Sequence, residues 1–236
     1  MADVRLLVVK LKIVMRVKKN RSVPGTYAVF FVLLFICPVF MPDFGNAEEP
    51  GGPGPAQQRI LDAYKTMLDI QGEFSQVSRI KELDETKTAY GRFYIRRPDR
   101  VRWDYLKPDM QTVVIVGSEM FMRQGKDGEV MKRSLGSAAG SGISSTPIGL
   151  LSNLGDMSRT FFVKPEGTDA VVLTPRSDMG AVKSIRVEVY ALPPAATGAS
   201  FPVRSLRIVD IYGNVNTFTL KNVQVNKGCD DDLFVP

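Results

Sequence analysis

Few side chains in this sequence could do covalent or acid–base chemistry, and the missing types are as informative as those present. The 236 residues include no histidine and two cysteines, Cys37 and Cys229. A Ser-His-Asp triad, a Cys-His dyad, proton transfer by His and His-ligated zinc or haem are therefore excluded, and one chain cannot build a four-cysteine zinc or iron–sulfur site. Cys229 is followed by Asp230, Asp231 and Asp232, whose charge disfavours a thiolate, so no nucleophile is expected there. The aspartate run itself reads as solvated surface. No GxGxxG, P-loop, GxSxG or EF-hand loop occurs, and no carboxylate pair has a glycosidase setting. The expectation is a binding protein with no catalytic residue, metal or cofactor.

The charge is unevenly placed. Residues 1–47 hold seven of the 31 basic residues and two of the 25 acidic ones, which leaves 24 basic against 23 acidic in the remainder. That remainder has no basic excess to drive nucleic-acid binding. The first segment has the form of a secretory leader. Arg16, Lys18, Lys19 and Arg21 precede an unbroken apolar run over residues 27–37, and Gly45-Asn46-Ala47 offers small residues at a cleavage site. The apolar run falls short of the roughly 20 residues of a bilayer span. Met15 is an alternative start, since residues 15–47 alone make a complete leader. Cleavage after Ala47 would leave 189 residues with one cysteine, an exported domain without an internal disulfide.

Residues 48–55 (EEPGGPGP) read as a Pro/Gly linker, and a single domain is expected over 56–236. Ile60, Leu61, Tyr64, Met67 and Leu68 fall on one helical stripe, with Gly72 expected to interrupt the helix. From Phe74 onward the period is mostly two. Gly91, Phe93 and Ile95 alternate with polar partners, as do Val101, Trp103 and Tyr105, Ile185, Val187 and Val189, and Phe218 and Leu220. Turn signals at 97–99, 107–109, 126–128, 165–167 and 212–214 separate these runs. Half-buried strands without intervening helices predict an antiparallel meander, sandwich or barrel. One stretch departs from this rhythm. Residues 136–145 (GSAAGSGISS) form a flexible loop, Thr146-Pro147 makes a helix start, and Ile148, Leu150, Leu151 and Leu154 make a short apolar helix ending near Gly155. Local pattern divides evenly between a lid and a connector completing the core.

Several motifs occur in a fixed order: Phe74-Ser75-Gln76; Gly91-Arg92-Phe93-Tyr94-Ile95-Arg96-Arg97-Pro98; Arg102-Trp103; Lys107-Pro108; the apolar strand 113–117 ending at Gly117; Leu173-Thr174-Pro175; the segment 210–218 (DIYGNVNTF); and Phe234-Val235-Pro236. This series resembles the periplasmic outer-membrane lipoprotein carrier family, LolA. The resemblance covers most of residues 57–236. It implies a mainly β fold with a few helices, in which an unclosed, strongly curved antiparallel sheet, a half-barrel, is covered by a helical lid. It also implies a monomeric periplasmic chaperone that is not an enzyme. Such a chaperone takes acylated lipoproteins from an inner-membrane lipoprotein-releasing ABC transporter and passes them to an outer-membrane receptor or acceptor membrane.

The family's key arginine falls on Arg97, which would hydrogen-bond to lid-helix backbone and latch the empty carrier, with Arg96 on the opposite face. The acyl-chain cavity would be lined by Leu61, Met67, Leu68, Val101, Trp103, Tyr105, Val113, Met120, Met122, Ile148, Leu151 and Leu154. Val101 stands where the family usually has Phe. Two other readings are a related half-barrel that binds a glycolipid or senses lipoproteins, and a secreted β-sandwich binding module.

Overall fold

The computed structural model describes residues 52–135, 147–191 and 201–236. The expected leader over 1–47, the 136–145 loop and the Thr146 cap lie outside the described residues. Pro55 opens the first helix, α1 (Pro55–Thr66), at a position where its missing N–H costs nothing. Ala56, Ile60, Tyr64 and Met67, spaced by four, four and three, are buried along one face.

The helix ends at Thr66, not at Gly72, because Met67 is already extended and Asp69 begins a strand. Gly72 instead marks an irregularity of pairing inside that strand. Leu68 consequently leaves the helical stripe and is 70% exposed, while Leu61 sits half-buried at the stripe's edge.

The chain then builds one sheet. β1 (Asp69–Ile80), β2 (Glu85–Arg96), β3 (Arg100–Lys107), β4 (Gln111–Val116), β5 (Glu119–Gln124) and β6 (Val130–Ser134) form a meander. After the helices come β7 (Phe161–Glu166), β8 (Ala170–Pro175), β9 (Val182–Val189), β10 (Val203–Asp210) and β11 (Val215–Val225). The spatial order is β6-β5-β4-β3-β2-β1-β11-β10-β9-β8-β7. Antiparallel pairing of β1 with β11 joins the two halves, matching Phe74 with Leu220. β6 and β7 are the free edges, so the sheet is unclosed. A single sheet also sets aside the sandwich reading.

Eleven strands at about 4.8 Å would span about 48 Å if flat. Yet Ile115 of β4, Trp103 of β3 and Leu173 of β8 belong to one buried cluster with Ile60 and Leu151. Only a strongly curved sheet brings them together.

The second helical stretch runs past Gly155. α2 (Pro147–Asn153) passes through a 3₁₀ turn, Leu154–Asp156, into α3 (Met157–Thr160). The expected turn at 165–167 begins later, since Pro165 and Glu166 still pair with β8. α2 lies against β2 and β3, and α1 against the 3₁₀ turn, β8 and β9. Both cover the same face of the sheet.

The apolar run in β4 is explained by burial on both sides. Val113 and Ile115 face the main core, whereas Val114 meets Phe121, Phe234 and Cys229 on the other side. There the C-terminal 3₁₀ turn, Asp231–Phe234, folds back over the convex face.

Gly91 is required by close approach. It pairs with Phe74 across β1 and β2, and a Cβ there would lie 2.0 Å from the Asp104 carbonyl oxygen and 2.5 Å from the Phe74 ring. Gly91→Ala should therefore cost about 2–3 kcal/mol through overpacking. Gly72→Ala, where the nearest atoms are 3.0–3.1 Å away, should cost less. Urea unfolding midpoints at constant slope would check the ranking.

Candidate functional site

The covered concave face is the candidate site, and aromatic rings form its floor. Trp103 stacks on Phe74 at 4.2 Å and Phe93 at 5.3 Å, and meets Phe218 edge-on at 5.8 Å. Strand parity puts Val101, Trp103 and Tyr105 on this face, opposite Ile95, Phe93 and Gly91 of β2. Val113 and Ile115 continue the floor, with Met120 and Met122 of β5 packed beside them. Methionine's unbranched, polarisable side chain suits an adaptable apolar surface. Leu150, Leu151 and Leu154 cover the floor from the helical side, and all three are buried.

Two polar atoms complicate this apolar setting. Trp103 is 1% exposed, and its indole nitrogen has no hydrogen-bond partner. A buried unpaired donor costs roughly 1–3 kcal/mol. Tyr105 has its ring edge-on to Phe74, and its hydroxyl donates to Gln76 Oε1 at 2.9 Å. Burial pushes the Tyr105 phenol up to about 12. The Trp103 indole lies near enough to offset a little of that shift, without closing a hydrogen bond to the hydroxyl.

Arg97 bonds main-chain carbonyls at the end of α1, not those of the short apolar helix at 147–154. Its Nη1 donates to the Tyr64 carbonyl at 2.7 Å and, at the limit of range, to that of Met67 at 3.4 Å. Its backbone N–H donates to the Leu68 carbonyl at 2.9 Å. These acceptors are the last carbonyls of α1 and the residues just beyond it, where a cation also suits the helix dipole.

Arg97 thus fastens the end of α1, and its connection to α2 runs through Tyr64. The guanidinium lies 5.6 Å from the Tyr64 ring centre, and the Tyr64 hydroxyl donates to the Leu151 carbonyl. Burial raises the Tyr64 phenol far above its ordinary range, with the Arg97 charge opposing, so it remains a donor. Gly155 permits this packing, since a Cβ there would meet Tyr64 Cβ at 2.8 Å.

Arg96 serves the other face. It bonds the Cys229 carbonyl at 2.9 Å, pairs with Asp231 alongside Arg100, and stands over the Phe234 ring. The two arginines hold the C-terminal 3₁₀ turn through Asp231, whose carboxyl is lowered chiefly by its hydrogen bond to Arg96. The Cys229 thiol is pushed up to about 11, first by burial and then by the Asp69 carboxylate. It is a small packed side chain, not a thiolate. Among the described residues, no group of three or more His, Cys, Asp or Glu side chains could hold a metal ion.

Of the expected cavity residues, the structure gathers Met67, Val101, Trp103, Tyr105, Val113, Met120, Met122, Leu151 and Leu154 around one core. Leu68 is turned to solvent and does not line the face. Leu61 is only half-buried, and the Ile148 side chain lies outside the described residues.

Sequence reasoning passes over two fasteners of α1. Arg59 donates to the Tyr190, Ala191 and Thr168 carbonyls near its N-terminal half. Asn226 donates to the Thr66 carbonyl at 2.9 Å and accepts the Leu68 N–H at 2.7 Å. Asn226 has a φ of 54°, a left-handed conformation that Asn tolerates better than most residues, and an Asn just past a strand is the available sign.

Tyr64→Phe removes the bond to Leu151 while keeping the ring. It should cost about 1 kcal/mol and accelerate amide exchange in 150–157 about fivefold, with strand amides unchanged. Exchange mass spectrometry would measure it, and equal acceleration across the sheet would contradict a local tie.

Residues 65–236 match the family described as Outer membrane lipoprotein carrier protein LolA. The outer-membrane lipoprotein carrier protein of Methylococcus capsulatus is 25% identical over 208 residues, covering 86% of this chain and 92% of that protein. Its namesake in Neisseria meningitidis serogroup B is 27% identical over 179 residues, 72% of this chain and 79% of that protein. A solved LolA superfamily protein from Nitrosomonas europaea aligns with 77% of this chain and 98% of its own, at 7% identity and a TM-score of 0.42. With the match extending from Lys65 in the last turn of α1 through every strand of the sheet to Pro236, the chain belongs to the outer membrane lipoprotein carrier protein LolA family.

Proposed function

We propose that this chain carries acylated lipoproteins across the periplasm and holds their acyl chains between the curved sheet and its helical cover. The observation that carries this reading is an aromatic and aliphatic floor beneath helices tied down by only a few polar bonds, in a chain of this family. An acyl chain of about fifteen methylenes costs about 12 kcal/mol to expose to water, so a free lipoprotein needs an escort. The closed form fills its own floor with Leu150, Leu151 and Leu154. Uptake would exchange those contacts for acyl contacts, and net affinity would be the difference between them. That difference keeps cargo releasable.

An inner-membrane ABC transporter would load the carrier, and an outer-membrane receptor or acceptor membrane would unload it. Residues 1–47 would direct export and be removed near Ala47. Among the described residues no helix is long and apolar enough to cross a membrane. The chain itself would do no chemistry on its cargo.

The test is transfer of a labelled triacylated lipoprotein from the purified carrier to acceptor vesicles. Wild type should hold cargo in solution and then deliver it. Arg97→Leu removes a charge-assisted bond that favours closure, worth roughly 1.5–3 kcal/mol or at least about tenfold in the closed/open balance. It should retain cargo and transfer about tenfold more slowly, with Arg97→Lys intermediate because an ammonium lacks the planar fork. Arg96→Leu should loosen the C-terminal turn and lower stability while leaving transfer intact. Equal transfer by Arg97→Leu and wild type would remove the latch role, and failure of wild type to keep cargo soluble would overturn the carrier reading.

A further inference from the structure

The apolar floor ends in a short polar row. Beyond Phe74 on β1, the next residues on the same face are Gln76 and Ser78, paired across β11 with Phe218 and Asn216 and across β2 with Ala89 and Lys87. Gln76 Nε2 donates to Ser78 Oγ at 2.9 Å and to Asn216 Oδ1 at 3.1 Å, and Ser78 Oγ donates to Asn216 Oδ1 at 2.5 Å. Tyr105 joins this row to the floor, because its ring packs on Phe74 and its hydroxyl bonds Gln76. Gln76, Ser78 and Tyr105 line an open cleft of about 560 Å³ together with Lys87 and Asp109. Two residues back along β3 from Tyr105 is Trp103, whose buried N–H is unpaired.

This order along one face, from apolar floor to unpaired indole donor to polar row to flexible ammonium, matches the order of groups in an acylated head. Chains come first, then ester and amide carbonyls, then the peptide. Such a linkage offers many acceptors and few donors. In the empty form the Gln76 Nε2 donors are spent on Ser78 and Asn216, and a bound linkage would take them over in exchange. Lys87 Nζ, 3.5 Å from Glu85 Oε2, stands beside them as a further donor, and the Trp103 indole has no acceptor among the described residues.

Resting on the carrier reading, we propose that the cleft lined by Gln76, Ser78, Lys87 and Tyr105 is a subsite for the carbonyl-rich linkage that joins acyl chains to the cargo's first residues. The bound chains would lie on the floor while the linkage emerges through the cleft. Specificity for an acylated head over a bare hydrocarbon would reside in this row.

The experiment compares two probes on the mature chain: a tripalmitoylated Cys-Ser dipeptide amide and a neutral apolar dye that carries no carbonyl. Gln76→Leu should weaken the lipopeptide about tenfold and the dye less than twofold. Lys87→Met alters an exposed side chain and so tests the site without threatening the fold. It should weaken the lipopeptide severalfold and leave the dye unchanged.

Trp103 is the sole tryptophan, so its emission should move to longer wavelength with lipopeptide and not with dye, as expected for an indole N–H gaining an acceptor. A dipalmitoylglycerol arm separates the sources. If Gln76→Leu loses affinity for it too, the ester carbonyls are what the row reads; if not, the cysteinyl amides are. Unchanged lipopeptide affinity in both variants, or equal loss for lipopeptide and dye, would overturn the subsite. A wild-type chain that binds dye but not lipopeptide would overturn the carrier reading itself.

Discussion

An antiparallel sheet whose inner face is almost wholly apolar cannot leave that face in water, and the rest of the molecule follows from this constraint. Closing the sheet into a barrel would hide the face permanently. Here the edges β6 and β7 stay apart, and cover is supplied by α1, α2 and α3 instead. Helices fastened to a sheet can leave it without breaking strand pairing. On the proposed reading, a face covered this way is hidden while the helices lie on it and open to a ligand once they move.

The energies divide in a way that suits such exchange. Ile60, Met67, Leu150, Leu151 and Leu154 are buried under the cover, and each contributes about 1.5–3 kcal/mol to closure. That total of roughly 7–15 kcal/mol exceeds anything the polar fasteners supply. On the proposed reading, an acyl chain entering the same space would return most of this burial, and the apolar contribution would nearly cancel between empty and loaded forms. What would remain uncancelled is the set of directional bonds that hold the helices to the sheet and to one another. The Arg97 bond to the end of α1 and the Tyr64 bond to Leu151 belong to that set. Bonds worth about 1–3 kcal/mol each can then decide an equilibrium in which burial favours neither form strongly.

Period-two alternation is a local signal, and it makes the floor legible in the sequence: Phe93 with Ile95, and Val101, Trp103 and Tyr105, lie on the face their parity demands. The pairing of β1 with β11 spans nearly the whole domain, and no local pattern specifies it. Leu68 is misplaced by its spacing because it continues the helical pattern of Tyr64 and Met67, while the helix itself ends two residues earlier. Arg97 stands out by its motif, yet its acceptors are main-chain carbonyls, which every residue carries and which leave no trace in side-chain type. The same blindness applies to Arg59, whose contacts beyond α1 are the carbonyls of Thr168, Tyr190 and Ala191.

One junction gathers these features. Residues 66–69, where α1 gives way to β1, are gripped from two sides. Arg97 takes the Tyr64, Met67 and Leu68 carbonyls, and Asn226 takes the Thr66 carbonyl and the Leu68 N–H. Asp69 accepts the N–H groups of Lys227 and Gly228, just ahead of the segment that Arg96 fixes on the convex face. Adjacent arginines thus hold opposite faces of the sheet at one strand end, and the chain between their attachments is short. The Asn226 and Asp69 bonds, which do not involve Arg96, hold the point where α1 ends and β1 begins, and the carbonyls that Arg97 reaches lie at that point. Arg97 therefore bonds a helix end whose position other side chains already set, so losing its bond need not disturb the strand pairing beneath.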